Sequence, residues 1–234
     1  MTRSQPRVPA GVPSGGQFAL THRPEATGIE LSELSIGVSS FTRHLADGER
    51  QEICTLPVDT ATMAMGARWG VADEIGFQGV DGIVSCSTFG CDGRYPVYVL
   101  RSEHRVKGVE AVFYIPSVEA ESDRRLADAG VLQPDVDAGN VERNGYFHAV
   151  QESYSQVWDE ICTSVHPADD CEPHVLTELE VTNDVLLGDP CHDRPAARVK
   201  VPPGRYVAVV WRHRGDTCRL GLYRIGSEDQ EKTP

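Results

Sequence analysis

The fold is decided by two stretches of this chain, GRYPVYVLRSEHRVKGVEAVFYI at residues 93–115 and GRYVAVVWRHRGDTCRLGLYRI at residues 204–225. Each begins with Gly-Arg-Tyr and continues as alternating apolar residues to Arg101 or Arg212. A polar turn follows, and a second apolar run returns. Period-two alternation on both sides of a short polar turn is typical of a β-hairpin. The sequence therefore predicts two similar β-hairpins, one in each half of the chain.

The segments that precede the hairpins also share a pattern. Apolar residues and a closing glycine recur in LPVDTATMAMG, residues 56–66, and in LEVTNDVLLG, residues 179–188. The distance from that glycine to the hairpin differs between the two halves. The pattern leaves two interpretations open, an internal duplication or two unrelated hairpins with the same turn chemistry.

Between the hairpins lies the clearest helix signal. From Tyr146 to Val165, apolar residues recur at spacings of three and four, which is the period of an amphipathic helix. Asn144-Gly145 is predicted to start this helix and Pro167 to end it, and residues 117–132 are predicted as a short surface helix or loop. The fold class is α+β and β-rich, with mainly antiparallel sheets, two similar hairpins and one main α-helix between them that packs on a sheet.

One residue bears on where the first hairpin lies in its sheet. Pro96 has no backbone N–H to give to a ladder, so its strand is expected at an edge of the sheet or with that side facing solvent.

The predicted organisation is one globular domain between two tails. Residues 1–28 are rich in Pro, Gly, Ser and Thr, and their composition predicts a flexible arm because too little apolar surface is present to offset the ordering entropy. The domain is expected at residues 29–226, with pseudo-repeat halves at 29–145 and 146–226 if the duplication is real. Residues 227–234 are a charged tail.

Charge and composition exclude several classes of function. The formal net charge is −13, although the first 25 residues carry three arginines against one glutamate. An acidic body repels phosphate backbones, so we expect no direct binding to nucleic acid. No apolar run of 18 residues and no secretory leader is present, which predicts no membrane insertion and a cytoplasmic location. Seven scattered cysteines indicate reduced thiols rather than a disulfide framework.

The arm contains the candidate binding residues. In a flexible stretch, Gly15, Gly16 and Gln17 precede a single aromatic side chain, Phe18, and Arg7 adds a positive charge. A lone aromatic anchor behind two glycines is typical of a segment that orders on a partner. The sequence predicts that Arg7 and the Gly15 to Phe18 segment bind an unidentified protein.

Two clusters carry candidate chemistry. Cys162, His166, Cys171 and His174 supply four nitrogen or sulfur ligands within 13 residues, the number that a tetrahedral zinc site needs. Their spacing matches no standard zinc motif, and a surface loop with one buried thiol is the favoured interpretation, so we expect no metal and no cofactor. In the second cluster, Cys191 is a candidate thiol nucleophile, but its neighbour on a strand would point to the opposite face. The favoured interpretation is a turn in which Cys191 packs inside.

Two motifs resemble known groups of sequences. RVPAG at residues 7–11 followed by GGQF at residues 15–18 resembles an N-terminal signature found on uncharacterised proteins of actinobacteria and of their phages and mobile elements. GDPC at residues 188–191 with VPPGRY at residues 201–206 resembles uncharacterised β-rich domains from similar genomes. The resemblance implies such a source and a β-rich fold, and it assigns no catalytic residue.

Three functions remain as hypotheses. The first is a non-catalytic cytosolic binding or accessory protein with an acidic body and a docking arm. The second is a metal-dependent or thiol-dependent enzyme that uses the Cys162 to His174 cluster or Cys191. The third is an acidic mimic of nucleic acid that occupies a basic protein, which would require carboxylates gathered on one face.

Overall fold

The computed structural model describes residues 43–69, 82–88, 93–134 and 139–225. Its strands are Glu49–Val58 (β1), Thr62–Gly66 (β2), Ile83–Ser87 (β3), Gly93–Ser102 (β4), Arg105–Val112 (β5), Glu172–Val181 (β6), Asp184–Gly188 (β7), Ala197–Lys200 (β8), Gly204–His213 (β9) and Asp216–Ile225 (β10). Its helices include Pro116–Asp128 (α1), Asn140–Ile161 (α2) and the short Pro167–Asp170 (α3). All of the observed strand pairs are antiparallel. The α+β, β-rich prediction is confirmed.

The order of the strands repeats between the two halves. A six-stranded sheet runs β1-β4-β5-β10-β9-β6, and a four-stranded sheet runs β3-β2-β7-β8. We matched β1 to β5 in order with β6 to β10, so that β1 corresponds to β6 and β5 to β10. With this matching, the order of equivalent strands across each sheet is the same from either edge. The hairpins β4-β5 and β9-β10 therefore lie side by side at the centre of the larger sheet, each flanked by the equivalent outer strand.

The register repeats as well. Tyr95 is paired with Leu56 on the neighbouring strand, and Tyr206 is paired with Leu179 in the same way. Both tyrosines lie in strands and are at most 1% exposed. A register shift occurs between residues 52 and 54 of β1 and at the equivalent place, between residues 175 and 177, of β6. The two halves thus share strand order, register and irregularities.

Both hairpin turns use two residues with positive φ. These residues are Glu103 and His104 in the first turn, and Arg214 and Gly215 in the second. Positive φ at both central positions is the turn that matches the twist of antiparallel strands, and glycine or asparagine usually supplies it. Only the second turn carries a glycine, so the first hairpin holds two side chains in the left-handed region.

The core consists of two apolar layers on opposite faces of the larger sheet. One face of this sheet packs against the four-stranded sheet, in a cluster that includes Tyr95, Val97, Met65 and Leu187. On β4, Tyr98 alternates with these inward residues and contacts the other layer, which contains Trp158 of α2. Successive side chains of a strand point to opposite faces, so the helices cover the second face. The predicted packing of the main helix on a sheet is confirmed.

Two boundaries and the placement of one strand differ from the sequence-based expectations. Helix α2 begins at Asn140 rather than at Asn144-Gly145, because an interior glycine costs only about 1 kcal/mol and does not end a helix by itself. The predicted boundary between halves, after residue 145, consequently falls inside α2. The prediction that Pro96 lies on an edge strand or on a side that faces solvent is wrong, since β4 lies between β1 and β5 and Pro96 is buried. The ladder with β5 begins at Val97, one residue after Pro96.

A buried polar network lies on the helix-facing side of the central strands. Glu110 is fully buried, and its carboxylate accepts hydrogen bonds from Arg50 Nε at 2.9 Å and from the Tyr223 hydroxyl at 2.6 Å. Trp211 Nε1 donates to the Tyr223 hydroxyl at 2.7 Å, and Arg219 lies 3.5 Å from Glu110 Oε2. Although burial opposes ionisation, Arg50 and Arg219 lower the pKa of Glu110 below its ordinary value. The group is therefore held as a carboxylate.

Candidate functional site

The arm residues predicted to bind a partner, Arg7, Gly15, Gly16, Gln17 and Phe18, lie outside the described residues. Their role stays a prediction.

The four candidate zinc ligands do not converge. The Cys162 thiol accepts a hydrogen bond from the Tyr98 hydroxyl at 3.7 Å. The ring of His166 caps α3, with Nδ1 accepting from the backbone N–H of Ala168 at 3.1 Å. Cys171 is buried in the apolar cluster that also contains Cys218.

The fourth candidate ligand, His174, lies on edge strand β6 and is exposed. The four residues thus belong to separate local structures and do not form a zinc site. Within the part of the chain that the structure describes, one group of residues brings metal-type ligand atoms close together. It consists of Asp59, Asp189 and His192.

That group belongs to a turn organised by Asp189. The carboxylate of Asp189 is 1% exposed and accepts the backbone N–H groups of Asp59, Thr60 and Cys191 at 2.9 to 3.0 Å. It also accepts the Thr60 hydroxyl at 2.7 Å. Burial opposes ionisation of Asp189, but these hydrogen bonds outweigh it and lower its pKa. Because protein donors already engage both oxygens, the arrangement favours a structural turn over a metal ligand.

The prediction that Cys191 packs inside is wrong. Asp189 takes the buried position in this turn, and Cys191 is exposed. The neighbouring residue, His192, is exposed, with its ring Nε2 3.4 Å from Asp59 Oδ1 and its carbonyl accepting Trp69 Nε1 at 2.9 Å. The Asp-Pro turn was recognisable in the sequence, but which of its side chains is buried depends on the distant β1-β2 turn.

The structure also contains a cleft of about 610 Å³ that no sequence pattern marks. We call it the acidic cleft, and it is lined by the start of α1 with the residues before it, by Asp170 and by the β9-β10 turn. Its lining residues are Tyr114, Pro116, Ser117, Glu119, Ala120, Asp123, Asp170, His213, Arg214 and Asp216. Four carboxylates therefore face one arginine and one histidine.

Hydrogen bonds hold several of these groups in place. The Tyr114 hydroxyl donates to Glu119, and the backbone N–H of Ser117 donates to Asp170 Oδ2 at 3.1 Å. His213 Nδ1 lies 2.8 Å from the carbonyl oxygen of Asp170. Burial raises the pKa of Tyr114, and the hydrogen bond to Glu119 raises it further. The walls of the cleft thus come from separate elements that are joined by direct contacts.

Sequence reasoning missed this site for a clear reason. Asp169-Asp170 reads as a solvated turn, and Asp216 reads as part of a polar hairpin turn. More than 40 residues separate Asp170 from Asp216, and more than 40 separate Asp170 from the end of α1. Each acidic residue has an ordinary local explanation, so only the tertiary arrangement brings them to one cleft.

Among the described residues, no helix combines the length and apolar character needed to cross a membrane. Comparison of the chain with protein-family models, with curated proteins and with solved structures found no match. The site is accordingly interpreted from its own geometry.

Proposed function

We propose that this chain is a non-catalytic cytoplasmic binding protein that holds a basic segment of a protein partner in the acidic cleft. The observation that carries this proposal is the convergence of Glu119, Asp123, Asp170 and Asp216 on one cleft, with Arg214 as the opposing cation. Carboxylates accept the paired N–H groups of arginine in charge-assisted hydrogen bonds. The chemistry of the cleft therefore fits a cationic ligand.

The charge of the whole chain supports the same class of partner. A net charge of −13 attracts polycations over a distance and repels phosphate backbones. Electrostatic complementarity contributes most to the rate and specificity of encounter. The N-terminal arm, with Arg7 and Phe18, is proposed to add a second contact once the partner is bound.

A local cleft is favoured over a mimic of nucleic acid. Such a mimic needs an acidic face without many interspersed cations. On α1, Glu121 lies 2.7 Å from Arg124 and 2.9 Å from Arg125, and Arg125 also lies 2.6 Å from Glu160 of α2. These pairs break the outer surface of the helices into alternating charges, so the carboxylates of the cleft remain the better site.

The thiols of Cys54, Cys162 and Cys218 support the non-catalytic assignment over an enzyme that uses one of them as a nucleophile. Burial raises the pKa of the Cys162 thiol, and burial likewise raises that of Cys54. The pKa of Cys218 is also raised, chiefly by its hydrogen bond to Cys171. A raised pKa keeps a cysteine in the thiol form, which is a poor nucleophile.

A binding experiment tests the proposal. The probe is a fluorescent octa-arginine peptide, titrated by anisotropy at low salt, with octa-glutamate as the negative probe. In the double variant Asp123→Asn and Asp216→Asn, we expect affinity to fall by about tenfold, or about 1.4 kcal/mol for two partly screened ion pairs.

The matched control is Glu142→Gln with Asp193→Asn. It removes two carboxylates from exposed positions that do not line the cleft. Equal affinity for octa-arginine in the two double variants would show that only overall charge is sensed and would overturn the proposal.

Elemental analysis separates the enzyme alternative. A metal-dependent enzyme requires about one ion per chain in the purified protein. Such a ratio, lost on substitution of Asp59 or His192, would replace the binding assignment with a metal site in the Asp189 turn.

A further inference from the structure

The described chain begins beside the acidic cleft. Arg43 Nη2 lies 3.1 Å from Asp169 Oδ1, and the Arg43 carbonyl oxygen lies 3.2 Å from His166 Nε2. The next residue after Asp169 is Asp170, which lines the cleft. The chain that precedes Arg43 therefore joins the fold next to a wall of the acidic cleft.

The charge of the first 25 residues complements that wall. This segment carries Arg3, Arg7 and Arg23 against Glu25, whereas the cleft carries four carboxylates. The twenty peptide units between Arg23 and Arg43 span up to about 70 Å when fully extended. Even Arg23, the arginine nearest to the fold, thus has ample reach, and Arg3 and Arg7 have more.

Attachment to the same chain makes weak contacts sufficient. A short flexible tether gives the attached group an effective concentration in the millimolar range. Exposed ion pairs are individually weak, but at such a concentration a few of them can compete with a free basic partner.

We infer that the basic segment of residues 1–25 occupies the acidic cleft of its own chain and that a basic partner binds by displacing it. The inference rests on the proposed function, since it assigns the regulation of the same cleft. Displacement would also release Phe18 to contact the partner, which links the arm and the cleft in one binding event.

The test uses the full chain and octa-arginine as the competing probe. In the triple variant Arg3→Gln, Arg7→Gln and Arg23→Gln, we expect affinity for octa-arginine to rise on the order of fivefold, because the internal competitor is lost. The conservative triple variant with lysine at these positions retains the charge and should bind like the natural chain.

A matched control corrects for total charge. Arg194→Gln, Arg198→Gln and Lys200→Gln remove three positive charges from exposed positions away from the cleft. This control should change affinity by less than about twofold, since screened charges act weakly over distance. In the Asp123→Asn and Asp216→Asn background, substitution of the three arm arginines should have no effect.

The possible outcomes separate the two claims. If the glutamine variant of the arm and the glutamine variant of Arg194, Arg198 and Lys200 tighten binding equally, only net charge is at work and the inference is overturned. If octa-arginine binds none of the proteins, the proposed function itself fails. If the gain in the arm variant depends on protein concentration and a dimer is seen by sedimentation, the arm acts on a second copy, and occupation of its own cleft is overturned.

Discussion

The ring of Tyr223 lies across the Cα atom of Gly221, so that a Cβ at position 221 would come within 2.4 Å of the ring carbon Cζ. Gly221 is paired across the centre of the large sheet with Glu110, whose carboxylate accepts the Tyr223 hydroxyl. The absence of a side chain at Gly221 therefore gives Tyr223 the space from which it reaches Glu110. This relationship occurs at the junction of the two halves, where the repeated hairpins meet.

Gly221→Ala is expected to destabilise the protein by about 2 to 4 kcal/mol. The added methyl group must displace the ring of Tyr223, and the buried hydrogen bond to Glu110 is then strained or lost. Chemical denaturation measures the change. Gly145→Ala is the control, because nothing lies within 4 Å of a Cβ there and the residue is inside a helix. It should be neutral or stabilising by up to about 1 kcal/mol, and equal losses in the two variants would contradict the steric argument.

Tyr95→Ala and Tyr206→Ala should have similar effects, about 2 to 4 kcal/mol each. Both rings are buried at equivalent register positions in the cluster between the two sheets, and truncation leaves a cavity. The hydroxyl groups make different contacts, to the Thr88 carbonyl at 3.2 Å and to the Pro202 carbonyl at 2.8 Å. The phenylalanine variants separate the ring from the hydroxyl. A large loss in one alanine variant and none in the other would mean that the two halves are not energetically equivalent.

Asp189→Asn should destabilise the protein by about 1 to 3 kcal/mol. An amide has one acceptor oxygen, so it cannot accept all of the backbone N–H groups that the Asp189 carboxylate accepts, and buried donors are left unpaired. Asp193→Asn, at an exposed position in the same loop, is the control and should be close to neutral. Thermal denaturation of the two variants at the same pH distinguishes a buried turn anchor from a general effect of charge.

Stability should fall as the pH is lowered below about 6.5, partly through His166. Burial lowers the pKa of His166 from its ordinary value of 6.5, and the nearby charge of Arg50 lowers it further, although Asp47 and Asp169 oppose the shift. The unfolded chain then binds a proton in a range where the folded chain does not, so stability rises with pH in that range. The contribution is complete above pH 6.5 and is lost as the pH falls from 6.5 towards the folded pKa.

His166→Asn provides the comparison for this pH effect. Asparagine is a good helix N-cap, so it can accept the Ala168 N–H in place of His166 Nδ1, and it does not titrate. Free energies of unfolding measured between pH 7.5 and 5.5 should decline less steeply in this variant. Parallel profiles would assign the acid sensitivity to other groups.

The buried network and the pairing of the two halves had no signal in the sequence. Glu110 and Arg219 lie in runs that are otherwise apolar, and each would ordinarily be placed on an exposed face. They are paired because β5 and β10 are neighbours at the centre of the sheet, a contact over more than a hundred residues. The acidic cleft depends on the same kind of contact, since Asp170 and Asp216 line one cleft only because α3 lies beside the end of β9, where His213 Nδ1 is 2.8 Å from the Asp170 carbonyl oxygen.

The sequence by itself determined the hairpins, the main helix and the β-rich class, because alternation with period two or with a spacing of three and four residues is a local property of the chain. The tertiary structure alone decided which strands are neighbours, why Pro96 is tolerated inside a sheet, that Asp189 rather than Cys191 is buried, and where the carboxylates gather. Those features depend on burial and on hydrogen bonds between residues that are distant in sequence. The free energy of each such contact depends on which distant residue lies opposite, and a local sequence pattern does not identify that residue.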